Sequence, residues 1–140
     1  ERPPLTVDDL LGEWQGEAVT MYPDWRSPDF YSTKMQLHLE SSDRLVYKIT
    51  FGSNATVISS SARIDGSVLH FNEGASPVQV VLLPDGGSYT LPVKIQLRKP
   101  IFFEAGWLVE PDLRFRMIRS YNERGEWVSL TLVTERKVSH

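Results

Sequence analysis

The segment with the clearest chemical potential is Asp112–Tyr121, in which arginines are interspersed with apolar residues. Alternation of this kind is typical of a β-strand, whose successive side chains point to opposite faces. One face then carries Leu113, Phe115, Met117, Arg119 and Tyr121. Arg114 and Arg116 lie on the other face. The pattern therefore predicts that the guanidinium of Arg119 stands at the end of an apolar row.

Arg119 needs a partner if this apolar row is buried, because an unpaired buried charge is costly. In one interpretation the partner is a ligand carboxylate, which Arg119 holds in a two-pronged grip with help from the Tyr121 hydroxyl. In a second, Arg119 pairs with Glu104 or Glu135, or stacks on Trp14. In a third, a β-bulge turns Arg119 towards solvent.

A second candidate site surrounds Glu104, an acidic residue among the aromatic side chains of residues 102–108. Apolar surroundings would raise the pKa of the Glu104 carboxyl and suit it to proton exchange. The alternative is a salt bridge to one of the late arginines. Gly106, in the same predicted strand, indicates a bulge or the close approach of a ligand.

The predicted ligand-binding residues combine these two segments with one residue from an irregular loop. Trp25 lies in the loop formed by residues 23–29, which we expect to form a lid or rim. The full predicted set is Arg119, Tyr121, Arg116, Trp107, Glu104 and Trp25. No residue is assigned a catalytic role.

These residues depend on a run of short strands that occupies nearly all of the chain after Gly12. Alternation recurs in about nine or ten segments, joined by turns such as Asp65-Gly66. Before Gly12, Thr6 is placed to cap one short helix over residues 7–11. An antiparallel meander of this length avoids exposed edges by closing on itself. The predicted fold class is all-β, an up-and-down barrel with a short N-terminal helix.

Composition excludes several function classes. The 140 residues suit a single domain, and the chain contains no Cys and three His. A disulfide or thiol nucleophile is therefore excluded, and we predict no metal site. The net charge of −3 argues against a nucleic-acid partner. No apolar run approaches the ~20 residues of a membrane-spanning helix, so a membrane-spanning protein is not expected.

The first predicted strand opens with Gly12-Glu13-Trp14, directly after the helix. Gly12 lets the chain enter the barrel closely, and we expect Trp14 to plug one end as a core residue. With this motif the chain begins to resemble the calycins, the lipocalin-like barrels. That resemblance implies that an arginine from a late strand, Arg136 or Arg119, packs on Trp14.

Across most of its length the chain resembles the S-type phycobiliprotein lyase group of calycins and its uncharacterised relatives in phototrophs. The resemblance rests on Gly12-Glu13-Trp14, Gly106-Trp107-Leu108 and residues 83–86, 116–121 and 127–137. It implies a lipocalin-like barrel over residues 1–140. Because some relatives carry two barrels, this domain is expected either to stand alone or to form half of a longer protein.

Lyases of this group hold a linear tetrapyrrole and deliver it to an antenna protein. The resemblance thus implies binding of a small apolar ligand with acidic groups, a bilin or related tetrapyrrole, with at most a lyase-like activity. No other cofactor is expected. The implied partner is a phycobiliprotein or a photosynthetic assembly component, in the cyanobacterial cytoplasm or plastid stroma.

Two alternatives to tetrapyrrole binding stay open. One is a fatty-acid or apolar-metabolite carrier that uses Arg119 and Tyr121 to hold one carboxylate. The other is a ligand-free interaction module in photosynthetic assembly, which presents Trp25 and the late arginines as its contact surface.

Overall fold

The computed structural model describes residues 4–52, 56–71, 77–92 and 100–139, except for the side chain of Thr56. Its elements are α1 (Val7–Leu10), β1 (Gly12–Met21), β2 (Asp29–Ser41), β3 (Arg44–Phe51), β4 (Thr56–Asp65), β5 (Val68–Phe71), β6 (Val78–Leu82), a 3₁₀ turn (Pro84–Gly86), β7 (Gly87–Pro92), β8 (Ile101–Glu110), β9 (Leu113–Tyr121) and β10 (Trp127–Ser139). Each strand pairs antiparallel with the next, and β10 pairs with β1, so the sheet closes. The predicted all-β up-and-down barrel with a short N-terminal helix is confirmed.

Strand alternation separates the interior of the barrel from its surface. In β2, Thr33 and Met35 are buried, whereas Lys34 and Gln36, which alternate with them along the strand, are exposed. This is the pattern of a strand with one face in the core and one in solvent. Part of the strand that the sequence predicts over residues 88–97 is present as β7, and the remainder of that prediction lies outside the described residues.

The N-terminal segment closes one end of the barrel. The amide of Leu5 donates to the carbonyl of Leu83 at 3.1 Å. Leu5 and Leu10 then pack with Leu82 in a small apolar cluster. The helix start is fixed by Asp9, whose carboxylate accepts hydrogen bonds from the backbone amide and the hydroxyl of Thr6. The opposite end carries the β1–β2 and β9–β10 connections.

Trp14 is the plug that the sequence predicts. Its side chain is 1% exposed and packs against Met35 and Ile49. The indole Nε1 donates to the carbonyl of Leu10 at 3.0 Å, which ties β1 to the helix. A buried indole needs such an acceptor, because an unpaired N–H inside the protein loses its bond to water.

The residue that covers Trp14 is Lys137, so the expectation of Arg136 or Arg119 there is wrong. The ammonium of Lys137 lies 5.1 Å from the ring centroid of Trp14 and donates to the carbonyl of Asp9 at 2.9 Å. Arg136, the preceding residue, points outward and faces Asp112. Arg119 lies towards the opposite end of β9, out of reach of Trp14.

Replacement of Trp14 tests the role of this plug. We expect Trp14→Ala to lower the free energy of unfolding by about 3–5 kcal/mol, because it leaves a cavity in the closed end and removes the bond to Leu10. Urea denaturation measures the effect. Trp25→Ala is the matched control, since Trp25 is fully exposed and its loss should change stability little. Equal stability of the two variants would contradict the assignment.

Candidate functional site

The interior of the barrel contains a cavity of about 540 Å³. It extends from Leu10 at the closed end to Tyr31 and Phe51 near the opposite end. Strands β2 to β6 give it an apolar wall, on which Tyr47 and Phe71 stack edge to face at 5.4 Å between ring centroids. Strands β7 to β10 give it a wall that contains polar and charged side chains. The volume lies within the range of about 300–1,000 Å³ typical of small-molecule sites.

The charged wall is built from four side chains that we call the ionic cluster: Arg114, Arg116, Glu104 and Glu135. Arg116 is its centre. Its Nη1 donates to Glu104 Oε1 at 2.8 Å, and its Nη2 donates to Glu135 Oε2 at 3.3 Å. The Nε of Arg116 lies 3.0 Å from Glu135 Oε1, close enough for an ion pair but too poorly aligned for a hydrogen bond.

Arg114 and two hydroxyl groups complete the arrangement. The Nη1 of Arg114 lies 3.6 Å from Glu135 Oε1, and its Nη2 donates to the hydroxyl of Ser88 at 3.0 Å. The hydroxyl of Thr90 donates to Glu104 Oε2 at 2.8 Å. Two guanidinium groups therefore face two carboxylates, and the formal charge of the cluster is zero.

Burial and charge act in opposite directions on this cluster. Burial of the Glu104 carboxyl raises its pKa, but the positive charges of Arg116 and Arg114 and two hydrogen bonds outweigh it, so the pKa lies below its usual value. The pKa of Arg116 is raised, because its two carboxylate partners outweigh the burial of the guanidinium. Burial and the charge of Arg116 lower the pKa of Arg114.

Glycines in the neighbouring strands make room for the cluster. A Cβ at Gly16 of β1 would lie 2.8 Å from the Cβ of Glu135 and 2.3 Å from the carbonyl oxygen of Thr134. A Cβ at Gly106 of β8 would lie 3.2 Å from the Cγ of Arg116. The sequence predicted a bulge or a ligand contact at Gly106, whereas the structure places an internal arginine there.

The predicted orientation of β9 is wrong, although its alternation is right. Arg114 and Arg116 point inward and are buried, and Ile118 and Ser120 line the cavity beside them. The face that carries Arg119 is the exterior. The physical reason is that Glu104 and Glu135, on the two strands that flank β9, neutralise the two inward arginines. This permits the polar face of β9 to be buried.

Arg119 and Tyr121 therefore lie outside the cavity. Arg119 is exposed, and its Nε donates to the Tyr121 hydroxyl at 2.8 Å. Its guanidinium lies over the indole of Trp127, 4.8 Å from the ring centroid. Arg119 faces solvent, as the third interpretation has it, but the bulge that this interpretation requires is not present, because β9 pairs in unbroken register from Met117 to Arg119. The alternation of the strand alone turns Arg119 outward.

The other predicted site residues divide between the interior and the surface. Glu104 and Arg116 line the cavity. For Glu104, the structure bears out the salt bridge and not a raised pKa. Trp107 is 43% exposed on the outside of β8, where it stacks edge to face on Phe115. Trp25 projects into solvent from the β1–β2 loop and is absent from the cavity lining.

Sequence reasoning missed two kinds of functional residue. It did not place Arg114 in the interior, and it considered Glu135 only as an alternative internal partner of Arg119, although Glu135 is 1% exposed and pairs with the two inward arginines of β9. It also did not detect an apolar surface on the outside of the barrel. The available signal was a glycine opposite each charged residue once neighbouring strands are paired: Gly16 faces Glu135, and Gly106 faces Arg116. A large buried pair of side chains needs such small residues beside it.

That surface contains a row of five apolar side chains, one from each of β8, β9, β10, β1 and β2. We call it the apolar exterior row, and it comprises Ala105, Met117, Leu132, Val19 and Phe30. Each member is the register partner of the next. Phe30 is 78% exposed, Met117 43% and Leu132 41%. At about 4.8 Å between strands, the row spans about 19 Å.

The described residues also bear on metal binding and on membrane crossing. Among the described residues, no group of three or more His, Cys, Asp or Glu side chains is arranged to hold a metal ion. Within the same ranges, no helix combines the length and apolar character that crossing a bilayer requires.

Removal of Arg116 tests whether the cluster depends on it. We expect Arg116→Met to lower the free energy of unfolding by about 3–5 kcal/mol at pH 7, because Glu104 and Glu135 would remain buried without their main partner. Arg119→Met, on the outer face of the same strand, is the control and should cost at most about 1 kcal/mol. Chemical denaturation compares them. Equal effects of the two changes would refute the central role of Arg116.

The lowered pKa of Glu104 predicts a specific pH dependence. A carboxyl with a lowered pKa in the folded state stabilises the protein above its unfolded pKa, about 4.3, and loses that contribution as the pH falls through the folded pKa. Glu104→Gln mimics the protonated carboxyl. We expect the wild type to be more stable than this variant at pH 7, and the difference to shrink below about pH 4. A constant difference from pH 7 to pH 3 would contradict this.

Comparison with known proteins places these features in a family. The sequence family described as "Biogenesis factor required for ATP synthase 1, C-terminal domain" matches residues 1–138. A solved protein of unknown function from Nostoc punctiforme, of the DUF3598 family, is 56% identical with a TM-score of 0.92. The alignment covers 99% of this chain and 51% of that one, so this chain spans about half the length of the Nostoc protein. No curated protein shows significant similarity.

More distant solved structures share the fold. The S-type phycobiliprotein lyase from Guillardia theta is 12% identical with a TM-score of 0.70, over 93% of this chain and 89% of that one. A protein from Mycobacterium tuberculosis is 11% identical with a TM-score of 0.57, over 94% of each chain. The predicted resemblance to lipocalin-like barrels of the lyase group is confirmed at the level of the fold. By the match over residues 1–138, the chain belongs to the family of the C-terminal domain of biogenesis factor required for ATP synthase 1.

Proposed function

We propose that this domain acts in ATP synthase biogenesis by docking a subunit of that enzyme on its apolar exterior row. The description of the family to which the chain belongs supports this process. The exposure of Phe30, Met117 and Leu132 in one continuous row is the observation that carries the site. Singly exposed apolar residues are ordinary, but a contiguous apolar surface is typical of a contact with another protein.

The surroundings of the row support a protein partner. Trp107 and Phe115 extend the apolar surface on one side of Met117. Arg119, stacked on Trp127, borders it on the other. Exposed Trp, Tyr and Arg side chains around an apolar centre are the composition of interface hot spots. We thus propose an interaction module, as one alternative from the sequence does. Its proposed contact surface is the outer face of β8–β10 and β1–β2, and not the surface formed by Trp25 and the late arginines.

The chemistry of the partner follows from the process. Subunits of an oligomeric enzyme expose their apolar intersubunit faces before assembly, and such faces are prone to aggregate. An apolar barrel surface is suited to cover a face of this kind reversibly. We place this action in the cyanobacterial cytoplasm or the plastid stroma, with the cyanobacterial source of the Nostoc relative in support.

Direct binding to purified ATP synthase subunits, tested one at a time, examines this proposal. We expect one subunit to bind the wild type, and Met117→Glu to weaken that binding at least tenfold, because a carboxylate would be buried in an apolar contact. Val57→Glu is the matched control, since Val57 is a 46% exposed residue on β4, away from the row.

Thermal melting should show both variants folded. The proposal fails if no subunit binds, or if Met117→Glu and Val57→Glu bind the subunit equally well.

We infer a second function, binding of a small apolar molecule in the barrel cavity. Its support is the cavity of about 540 Å³, with an apolar wall on one side and polar groups on the other. A bilin or related tetrapyrrole is the ligand that the fold similarity to the lyase suggests, and a fatty acid or apolar metabolite is the alternative. A change in the visible absorbance of an added bilin tests the first ligand. The experiment below tests the cavity itself.

The Nostoc relative also bears on domain organisation. Because that protein is about twice the length of the aligned region, we propose that this barrel works as one half of a two-part protein.

A further inference from the structure

The charge balance of the cavity decides which ligands it accepts. Among the described residues that line it, the cationic groups are Arg114 and Arg116, and both have carboxylate partners. Glu104 lines the cavity itself, with a side chain that is 14% exposed. Glu135 lies behind Arg116 and is 1% exposed. A ligand therefore meets a wall of zero net charge whose accessible carboxylate is that of Glu104.

Binding of a ligand carboxylate to this wall of the cavity is unfavourable. At Arg116 the ligand would have to displace Glu104 from Nη1, a contact of 2.8 Å, or lie beside Glu104 as a second negative charge. The first leaves a buried carboxylate without its partner, and the second places like charges in an apolar space. Both are costly in a low-dielectric interior. At Arg114 the ligand would have to compete with Glu135 and Ser88, which already face the two terminal nitrogens.

A ligand with a hydroxyl or amide N–H can bind favourably to the Glu104 carboxylate. Glu104 accepts one hydrogen bond on each oxygen, from Arg116 and from Thr90. A carboxylate has about four acceptor positions, so capacity for a further donor remains. The hydroxyl groups of Ser120 and Thr33 line the same space. An uncharged donor group can be bound here without breaking any ion pair.

We propose that Glu104 makes the cavity selective for uncharged, mostly apolar ligands that carry a hydrogen-bond donor, and against anions of the same shape. This inference rests on the proposed binding function of the cavity and names its ligand class. It reverses the charge preference that the arginine-rich sequence predicts. It also narrows the ligands proposed above: an uncharged apolar metabolite is favoured over a fatty acid, and a bilin would have to keep its propionates away from Glu104. The apolar wall holds the body of the ligand, and Glu104 determines the charge of the group that it accepts.

Competition between two matched ligands tests the selectivity. The probe is N-phenyl-1-naphthylamine, a neutral dye that fluoresces in apolar sites, and the competitors are 1-decanol and decanoate at pH 8. On the wild type we expect decanol to displace the dye at a concentration at least tenfold lower than decanoate. In Glu104→Gln we expect that ratio to fall at least tenfold, because the cluster of Arg114, Arg116 and Glu135 then carries a formal charge of +1.

Two tryptophan variants separate cavity binding from surface binding. Ile118→Trp projects a larger side chain into the cavity and should weaken dye binding at least tenfold, whereas Val57→Trp adds the same side chain on the outer face of β4, away from the apolar exterior row, and should preserve it. Melting curves check that each variant folds. If the wild type binds no displaceable dye, or if both tryptophan variants bind it equally, the cavity-binding function fails.

The selectivity has its own distinct failures. If dye binding is weakened by Ile118→Trp alone, yet decanoate competes as well as decanol on the wild type, the role of Glu104 is overturned while cavity binding stands. An unchanged ratio in Glu104→Gln has the same meaning. The ratio of the decanol and decanoate concentrations that displace the dye is measured on the wild type, so this test does not depend on the folding of any variant.

Discussion

The neutralisation of Arg116 by two carboxylates is the interaction on which the arrangement of the barrel depends. A guanidinium inside a protein is tolerated only when opposite charges and hydrogen bonds replace the water it has lost. Glu104 from β8 and Glu135 from β10 provide them from the two strands that flank β9. The ion pairs thus connect three neighbouring strands on the inside, and the close approach of β1 at Gly16 accommodates the buried Glu135.

The same interaction determines what the surface looks like. A strand has two faces, so a strand that turns its charged residues inward must turn the intervening residues outward. In β9 this exposes Met117, and in β10 the inward Glu135 is accompanied by the outward Leu132. The inward charges of the ionic cluster therefore determine which residues of β8, β9 and β10 face outward in the apolar exterior row, and Val19 of β1 and Phe30 of β2 complete that row. An exposed apolar surface of this kind is tolerated if another protein covers it or if its area is too small to cause aggregation. The proposed docking function corresponds to the first case.

The sequence was sufficient for the number, order and closure of the strands, because alternation and turn residues are local signals. It was sufficient for Trp14 as well, since a large aromatic residue at the start of a barrel strand has few other roles. It was insufficient for the orientation of β9. Hydrophobicity assigns the apolar face to the interior, and only the pairing of Arg116 with Glu104 and Glu135 overrides that assignment. Such pairing is a property of register between strands, which alternation within one strand does not reveal.

The two proposed functions occupy opposite sides of one wall, and this has a consequence for their relation. Met117 faces out between Arg116 and Ile118, which face in, so a docked subunit and a bound ligand would be separated by the thickness of a single strand. Coupling between sites requires an element with two discrete arrangements that both sites bias. In this barrel β9 is paired with a strand on each side, and internal ion pairs join β8, β9 and β10, which opposes a shift of one strand relative to the next. We therefore expect the two sites to bind their partners independently, with the cavity selecting by charge and the exterior by apolar contact.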